Sequence, residues 1–296
     1  GAIEDVFGQW ANGKATLVPR FSVDPPNEPG NVYPRWFMPA MLYGSGVVGV
    51  KILLFSVPGS SGPTKEEYLI LIFDAVDGSV LAHVEGKELT KIRTGAVTAV
   101  ATKYLARKES RSLGILGSSK YAEMQAVGVC AVRGIDMIRV FSPNYANCSD
   151  FANRLRGSLD VEIETCRSSE AVVKQSDIIV TVTNSKEPVF SGDWISKGTH
   201  INAVGSSFPD SREVDDATVS KSKVVVEYMS QALLEAGDIV IPISNGTITK
   251  DDIYSEISHI VSGKMQGRAS DDEITLFKSN GVALEDIACA LKVFQK

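Results

Sequence analysis

Two groups of residues have the types and spacing that chemistry requires. The first lies in the segment 112–122, where an apolar strand pattern ends at Gly117-Ser118-Ser119 and a helix pattern opens near Ala122. In dinucleotide-binding folds this turn carries G-x-G-x-x-G/A, whose backbone N–H groups face a pyrophosphate. Gly117 and Ala122 fit the first and third positions, whereas Ser119 replaces the middle glycine. The segment predicts a dinucleotide-binding turn, with an ordinary strand–helix turn as the alternative.

The second group is a pair of cations inside apolar patterns. Lys51 follows the strand pattern 47–50, and Arg93 interrupts the apolar face of a helix predicted over 89–106. A charge at such a position is costly to bury unless an anion binds it. Lys51 and Arg93 are therefore candidates for holding a small anionic ligand, with a solvated charge or an ion pair as the alternative.

The end of the second predicted parallel strand bears on the type of dinucleotide. An acidic residue there bonds the ribose 2′-hydroxyl of NAD, and the segment Val140 to Asn144 has none. Ser142 and Asn144 have side chains that can hydrogen-bond a 2′-phosphate, although no arginine stands in the turn. We therefore expect NADP(H) or NAD(H) as the cofactor, with NADP(H) favoured; a simple polar turn is the alternative.

Other reactive side chains favour structural roles. The three histidines have no serine, cysteine or carboxylate partner at a motif spacing, so we expect them to be structural or exposed: His83, His200 and His259. Four acidic residues after the fifth parallel strand are interpreted as a helix start, where acids complement the helix dipole: Asp210, Glu213, Asp215 and Asp216. We expect no metal site.

Two successive patterns of elements must position these residues. After a helix over 2–10, β-rich runs separated by Pro/Gly loops predict antiparallel strands over 16–23, 33–42, 47–57, 68–73 and 79–84. Asp77-Gly78 predicts a two-residue hairpin turn between the last two. From residue 112 the pattern alternates, which predicts an α/β fold with parallel strands over 112–117, 137–142, 160–164, 177–182, 199–204 and 223–227. A strand over 273–277 and a helix over 282–294 are expected to return to the first domain.

Composition limits the function classes. The 296 residues are 44% hydrophobic and 22% charged, enough for about two domains with large cores. A net charge of −6 argues against nucleic acid or an anionic membrane as a partner. No apolar run reaches the roughly 18 residues of a membrane span. The unpaired spacing of the four cysteines indicates reduced thiols of a cytoplasmic protein rather than a disulfide framework or a zinc site.

Several segments, in order, resemble the ornithine cyclodeaminase/mu-crystallin family. Besides the glycine turn, they are 38–40, 49–51, 89–96, 177–183, 198–205, 212–215 and 277–286. The resemblance implies a Rossmann-type parallel-sheet domain (95–268) inserted into an α+β substrate-binding and dimerisation domain (1–94 and 269–296). It also implies a homodimer that binds NAD(P)(H) and a small α-amino or α-imino acid.

The resemblance also carries roles onto single residues. Arg20, Lys51 and Arg93 match the cations that hold the substrate carboxylate. Ser207 stands where cyclodeaminases carry an aspartate, and in this departure the chain resembles mu-crystallin. Glu235 matches a mu-crystallin pocket glutamate. With the turn residues above, the cofactor contacts are expected to be Thr94, Gly117, Ser118, Ser119, Ala122, Ser142, Asn144, Thr181, Thr183, Val204, Gly205 and Ser279.

The activity implied by the resemblance is NAD(P)H-dependent reduction of a cyclic imino acid, such as pyrroline- or piperideine-2-carboxylate, to the cyclic amino acid. An ornithine cyclodeaminase or an alanine-type dehydrogenase is the first alternative. A non-catalytic protein that binds a small ligand is the second, and Ser119 is its best support. The loop 58–63 is expected to influence substrate choice.

Overall fold

The chain divides into two compact units. The structure, a computed structural model, describes residues 1–23, 35–55 and 66–296, so the loops 24–30 and 58–63 singled out in the sequence lie outside the described residues. The first unit contains Gly1–Arg93 and Gly281–Lys296, and the second contains Thr94–Asn280. The first boundary, after Arg93, thus lies one residue before the one predicted between 94 and 95. The second, after Asn280, lies well after the one predicted between 268 and 269.

The first unit contains an antiparallel sheet and helices from both chain ends. Its elements are α1 (Ala2–Ala11), β1 (Ala15–Leu17), β2 (Phe21–Ser22), β3 (Arg35–Leu42), β4 (Val47–Phe55), β5 (Glu66–Asp74), β6 (Val80–Glu85), the start of α2 (Lys87–Leu105) and α10 (Ala283–Phe294). The strand order is β1-β3-β4-β5-β6, with β2 paired to β3. All of these pairs are antiparallel, as predicted.

Side chains alternate between the two faces of this sheet. In β4 the residues Val47, Lys51 and Leu53 are buried, whereas Val48 and Leu54 on the other face are exposed. α10 buries one face that includes Leu284 and Ile287, which is the strongly amphipathic pattern expected of a helix lying on a sheet. Lys51 therefore points into the core face of an otherwise apolar strand.

The hairpin between β5 and β6 is confirmed, but its turn is longer than predicted. Phe73 pairs with Val80, and the amide of Asp74 donates to the carbonyl of Ser79. Gly78 alone adopts a positive φ, +76°, so Asp77-Gly78 does not form the two-residue turn, in which both central residues need positive φ. The Asp74 carboxylate accepts from the Val76 amide instead and stabilises the wider turn.

The second unit is built on an eight-stranded sheet in which every pairing is parallel. Its strands are β7 (Ser112–Leu116), β8 (Met137–Phe141), β9 (Glu162–Thr165), β10 (Ile178–Thr181), β11 (His200–Ala203), β12 (Lys223–Val226), β13 (Ile253–Glu256) and β14 (Thr275–Lys278). The helices are the rest of α2, α3 (Ala122–Cys130), α4 (Tyr145–Ser158), α5 (Ser169–Val173), α6 (Asp216–Lys221), α7 (Met229–Glu235), α8 (Gly237–Ser244) and α9 (Ile257–Val261).

The strand order identifies a Rossmann-type arrangement. It runs β13-β12-β14-β11-β10-β7-β8-β9, so the chain moves from β7 to β8 and β9 on one side and continues with β10 and β11 on the other. Ile178 and Val180 belong to one buried cluster and Ile179 to another, so both faces of the sheet are covered. The predicted fold class is confirmed, and β7 lies at the point where the strand order reverses, where such sheets bind ligands.

The last strand is a correction to the sequence-based assignment. β14 was expected to join the first domain, but it lies between β11 and β12 in the parallel sheet. Only α10 returns to the first unit. Strand order is set by contacts between distant segments, and a short apolar strand is compatible with either sheet, so the local pattern did not distinguish them.

Two glycines bring helices α2 and α3 into backbone contact. A Cβ added to Gly95 would overlap the carbonyl of Met124, and one added to Gly128 would overlap the carbonyl of Gly95. The helix that precedes the parallel sheet therefore packs directly against the backbone of the helix that follows the glycine turn.

None of the helices in the described residues is both long and apolar enough to cross a membrane.

Candidate functional site

The glycine turn connects β7 to α3 at the carboxyl edge of the parallel sheet. Gly117 has a φ of +117°, and a Cβ added there would lie 2.8 Å from the carbonyl oxygen of Val182. The side chain of Ser119 bridges the turn, since its hydroxyl donates to the same carbonyl and accepts from the amide of Tyr121, both at 3.3 Å. Ala122 is fully buried and begins α3. Only glycine suits the first position, whereas the backbone at Ser119 does not need one.

The turn fits a dinucleotide pyrophosphate. Within the described residues, no acceptor bonds the backbone N–H of Ser118 or Ser119. Both groups lie beside the N-terminus of α3, where the helix dipole favours an anion. These available donors are what a phosphate needs at a strand–helix turn.

The neighbouring strand end presents the two residues expected to contact the adenosine ribose. The hydroxyl of Ser118 donates to that of Ser142 at 3.1 Å. Asn144 caps α4, because its Oδ1 accepts from the amide of Asn147 at 3.1 Å. The glycine turn and the end of β8 are thus connected by a side-chain hydrogen bond.

A buried carboxylate joins the ends of β10 and β11. Glu213 accepts from the hydroxyls of Thr181 and Thr183 and from the amides of Thr183 and Gly205, at 2.6–2.8 Å. Burial raises the pKa of Glu213, with Asp238 adding to the effect and Lys278 opposing it. The Thr181 and Thr183 hydroxyls, expected to contact cofactor, are therefore engaged in fixing the strand ends.

A second layer of buried charge supports this cluster. Asp238 accepts from the amides of Glu213 and Val214 and pairs with Lys278 at 2.8 Å. The Lys278 ammonium also donates to the carbonyl of Ser206, in the loop that follows β11. This chain of contacts fixes the loop that carries Gly205 and Ser207.

The remaining cofactor candidates lie at positions around this edge. Ser279, just after β14, donates its hydroxyl to the buried Glu227 at 2.9 Å. The amide of Val204 donates to the carbonyl of Thr181. Thr94 is a half-buried residue of α2.

In the first unit, Lys51 and Arg93 meet at one carboxylate oxygen. The Lys51 ammonium lies 2.8 Å from Oδ1 of Asp286, and Nε of Arg93 lies 3.1 Å from the same atom. Nη1 of Arg93 bonds Glu285 at 2.7 Å, and Lys51 also donates to the hydroxyl of Thr90. Lys51 is 1% exposed and Arg93 6%, and both acids are completely buried. We call these five residues the cation cluster.

The cation cluster is neutral in sum, with two cations and two acids held in one geometry. Burial lowers the pKa of Lys51 to about 8, while the nearby Asp286 opposes the shift. Among the described residues, two acceptors bond the three N–H donors of this ammonium, so one donor remains for a ligand. Such fixed donors suit a small carboxylate.

The other residues predicted for catalysis lie elsewhere. Arg20 stacks over the ring of Trp36, with its guanidinium carbon 3.7 Å from the centroid. Trp36 and Met38 share one face of β3, and Met38 pairs with Lys51 on β4. Ser207 is half-buried in the loop after β11, and Glu235 is the half-buried last residue of α7.

Two structural interpretations from the sequence can be judged. His200 is buried and bonds Thr275, and burial lowers its pKa to about 3, so its ring is neutral. Asp215 caps α6 and Asp216 follows in its first turn, as expected, but Glu213 is not a capping residue. Its carboxylate accepts hydrogen bonds from donors at the ends of β10 and β11, a contact that the local acidic pattern does not indicate.

All four cysteines are free thiols: Cys130, Cys148, Cys166 and Cys289. Burial raises the pKa of Cys130 to about 11 and that of Cys289 to about 12, so neither is a reactive thiolate near neutral pH. Across residues 1–23, 35–55 and 66–296, no group of three or more His, Cys, Asp or Glu side chains is placed to hold a metal ion.

The sequence does not single out as functional the acids of the cation cluster or the buried acids Glu213 and Asp238. Glu285 and Asp286 lie in the first turn of α10, where acids also occur simply because they complement the dipole. The available signal was their position on the apolar face of an amphipathic helix. Asp238 and Lys278 carry a similar signal, because each interrupts an otherwise apolar segment.

These features define a Rossmann-type parallel sheet with a glycine turn suited to a dinucleotide, and a second unit that holds a buried cluster of paired cations and acids. The chain belongs to the ornithine cyclodeaminase/mu-crystallin family, whose model matches residues 1–296. The resemblance inferred from the segments above is thereby confirmed.

Three relatives illustrate the similarity. A Delta(1)-pyrroline-2-carboxylate reductase of Bacillus cereus is 37% identical over 262 residues, which are 88% of this chain and 80% of the relative. The ketimine reductase mu-crystallin of Rattus norvegicus is 33% identical over 87% of this chain and 78% of its own. The structure of Thermococcus litoralis Delta(1)-pyrroline-2-carboxylate reductase in complex with NADH and L-proline is 38% identical, with a TM-score of 0.93 over 99% of this chain and 90% of that one.

Proposed function

We propose that this protein reduces a cyclic imino acid, such as pyrroline-2-carboxylate or piperideine-2-carboxylate, to the cyclic amino acid with NADH or NADPH. The observation that carries the proposal is its similarity, over 99% of the chain, to a reductase solved with NADH and L-proline. The cation cluster and the glycine turn supply the two binding functions that such a reaction needs.

The cation cluster would bind the carboxylate of the imino acid. Arg93 offers a planar fork and Lys51 a point charge, and the two acids keep both cations in place before the substrate arrives. Arg20, stacked on Trp36, is the third cation that we assign to substrate binding. Holding the carboxylate orients the ring, because hydride transfer needs the reacting carbons roughly 3–3.5 Å apart.

The second unit would hold the dinucleotide. The amides of Ser118 and Ser119 would bind the pyrophosphate, and Ser142 and Asn144 would contact the ribose. The proposed contacts are completed by Thr94, Ala122, Val204, Gly205 and Ser279. Thr181 and Thr183 would contribute by fixing the strand ends, because their hydroxyls donate to Glu213. When bound, the reduced nicotinamide supplies a hydride.

The proton balance needs no strong acid on the protein. Hydride adds to the carbon of the C=N bond, and the π electrons of that bond become a lone pair on nitrogen. An imine already protonated from solvent gives the neutral amine directly, and an unprotonated one takes its proton from water. Ser207 and Glu235 are the residues that we assign to orienting a water or proton at this nitrogen. The product is the cyclic amino acid, together with the oxidised dinucleotide.

Cyclodeamination and amino-acid oxidation are the competing reactions. Ser207 stands where cyclodeaminases carry an aspartate that handles the substrate amino group, which favours the reductase. Initial rates of NADH and NADPH oxidation with pyrroline-2-carboxylate and piperideine-2-carboxylate, compared with the oxidation of ornithine and alanine, separate these reactions. We expect imine-dependent oxidation to be the fastest; faster oxidation of alanine or ornithine would contradict the proposal.

We also propose that the protein is a homodimer joined through the face of the antiparallel sheet that carries Val48 and Leu54. Phe21, Val48, Leu54 and Val80 are 50%, 36%, 41% and 63% exposed on the strands of this sheet, although they are large and apolar. Such a patch is typical of an interface.

The free thiols support the cytoplasmic location that we expect, because disulfides form in oxidising compartments.

A further inference from the structure

A single arginine lies at the adenosine edge of the proposed dinucleotide site. β8 and β9 are parallel neighbours in which Val140 pairs with Thr165, and the amide of Cys166 donates to the carbonyl of Val140 at 2.8 Å. Ser142 follows the last residue of β8, and Arg167 lies two residues after the end of β9, so both stand at the carboxyl ends of paired strands. Neighbouring strands lie about 4.8 Å apart, so the two residues belong to one edge of the sheet.

The guanidinium of Arg167 is held by stacking. Its central carbon lies 3.9 Å from the ring centroid of Tyr145, the first residue of α4, which follows the cap residue Asn144. Tyr145 is 44% exposed. Stacking uses the flat face of a guanidinium and leaves its in-plane N–H edge for a phosphate, which it can bind with two parallel hydrogen bonds.

The charge at this edge is positive. In the described parts of the chain, no carboxylate forms an ion pair with Arg167. Glu164, three residues before it, is bonded to Arg139 at 3.1 Å instead. The segment 142–147 contains no acid that would repel a phosphate.

Two polar side chains are oriented to assist. The Ser142 hydroxyl accepts from that of Ser118, which leaves its own hydrogen for a ligand. The Asn144 carbonyl oxygen is engaged in the helix cap, so its amide offers N–H donors. Arg167, Ser142 and Asn144 thus each have an N–H or O–H group for a ligand at this edge.

We propose that Arg167 makes this chain selective for NADPH by binding the 2′-phosphate, assisted by Ser142 and Asn144. The inference rests on the proposed function, and it assigns the specificity-determining residue of that site.

Binding measurements test this assignment without catalysis. Dissociation constants for NADPH and NADH are measured by nicotinamide fluorescence, and adenosine 2′,5′-bisphosphate is compared with 5′-AMP as a competitor. The variants are Arg167→Gln, Arg167→Lys, and Lys197→Gln as a control. Lys197 is an exposed cation that precedes β11, at the opposite edge of the sheet, so its loss changes the net charge equally.

The wild type and Lys197→Gln should bind NADPH about tenfold to a hundredfold more tightly than NADH. Arg167→Gln should lose this preference while its affinity for NADH changes less than twofold, and Arg167→Lys should retain part of it. Equal affinity of the wild type for both dinucleotides, or equal weakening of both by Arg167→Gln, would overturn this inference alone. Failure of both dinucleotides to bind would overturn the proposed function as well.

Discussion

Several charged side chains of this chain are buried, among them Lys51, Arg93 and Glu213. Lys51 and Arg93 share Asp286, and Glu213 accepts four hydrogen bonds at two strand ends. Buried charges persist only when they are paired, so each of these groups fixes a geometry as well as a charge. The cation cluster fits the requirement of a carboxylate-binding site that is formed before its ligand arrives.

The pKa of Lys51 predicts how carboxylate binding depends on pH. Burial lowers this pKa to about 8, and Arg93 stays charged throughout, so raising the pH above 8 removes one cation from the cluster. Affinity for a five-membered ring carboxylate whose ring nitrogen does not titrate should fall about tenfold by one unit above that pKa. Titration calorimetry from pH 7 to pH 9 measures it.

Lys51→Met provides the control for this titration. It should bind the same ligand weakly at every pH, because the titrating group is gone. An affinity of the wild type that stays constant over this range would exclude Lys51 as a carboxylate ligand.

The sequence identified the cations more readily than their partners. Lys51 and Arg93 stand out because each interrupts an apolar pattern. Their partner Asp286 lies 235 and 193 residues away, so the pairing depends on how the two chain ends fold together. The alternative of a buried ion pair, left open for both residues, describes their observed contacts.

At the scale of elements, the alternation of strands and helices determined most of what could be predicted. Strands β7 to β11 and their helices follow from apolar periodicity and capping residues, which are local properties. The order of strands is not local, and β14 was therefore placed in the wrong sheet. The region of α7 to α9 contains short helices and β13, whose patterns are too brief to be recognised.

The ends of β10 and β11 should depend on Glu213. Glu213→Gln replaces an acceptor-only group by an amide that confronts donors with its own N–H groups. Unfolding in urea should show a loss of about 2–4 kcal/mol, and NAD(P)H affinity should fall.

The exposed Glu162 on β9 gives a matched control for this change. Glu162→Gln should alter the free energy of unfolding by less than about 0.5 kcal/mol. If Glu213→Gln were as stable as Glu162→Gln, the strand ends would not be held by this carboxylate.

The contact between α2 and α3 predicts opposite effects for two glycines. Gly128→Ala drives a methyl group into the carbonyl of Gly95 and should destabilise the fold by about 1–3 kcal/mol. Gly157→Ala, in α4 with open space around it, should be neutral or stabilising by up to about 1 kcal/mol. Thermal unfolding of both variants checks this, and similar melting temperatures would contradict the close helix contact.

At the scale of the whole molecule, one face of the antiparallel sheet presents large apolar side chains that are exposed among the described residues. Exposed Val48 and Leu54 on β4 alternate with buried neighbours that pack beneath the sheet. This pattern is typical of a sheet whose second face is covered by another copy of the chain. The sequence predicted the strands and the resemblance implied the dimer, but only the structure shows which side chains the second face presents.

A charge placed on this face should separate the subunits. Val48→Glu should convert the dimer to a monomer in sedimentation velocity, because a carboxylate would be buried without a partner. Val76→Glu is the control, since Val76 is 92% exposed at the turn between β5 and β6. A monomeric wild type, or a Val48→Glu variant that dimerises as tightly as the control, would contradict the proposed interface.

The proposed reaction passes a hydride from the reduced nicotinamide to the imine carbon. The most direct measurement incubates the protein with pyrroline-2-carboxylate and NADPH or NADH deuterated at both C4 positions, and analyses the product by mass spectrometry and NMR. The proposed function predicts proline that carries a single deuterium on its α-carbon. Absence of proline, or proline without deuterium on that carbon, would contradict it.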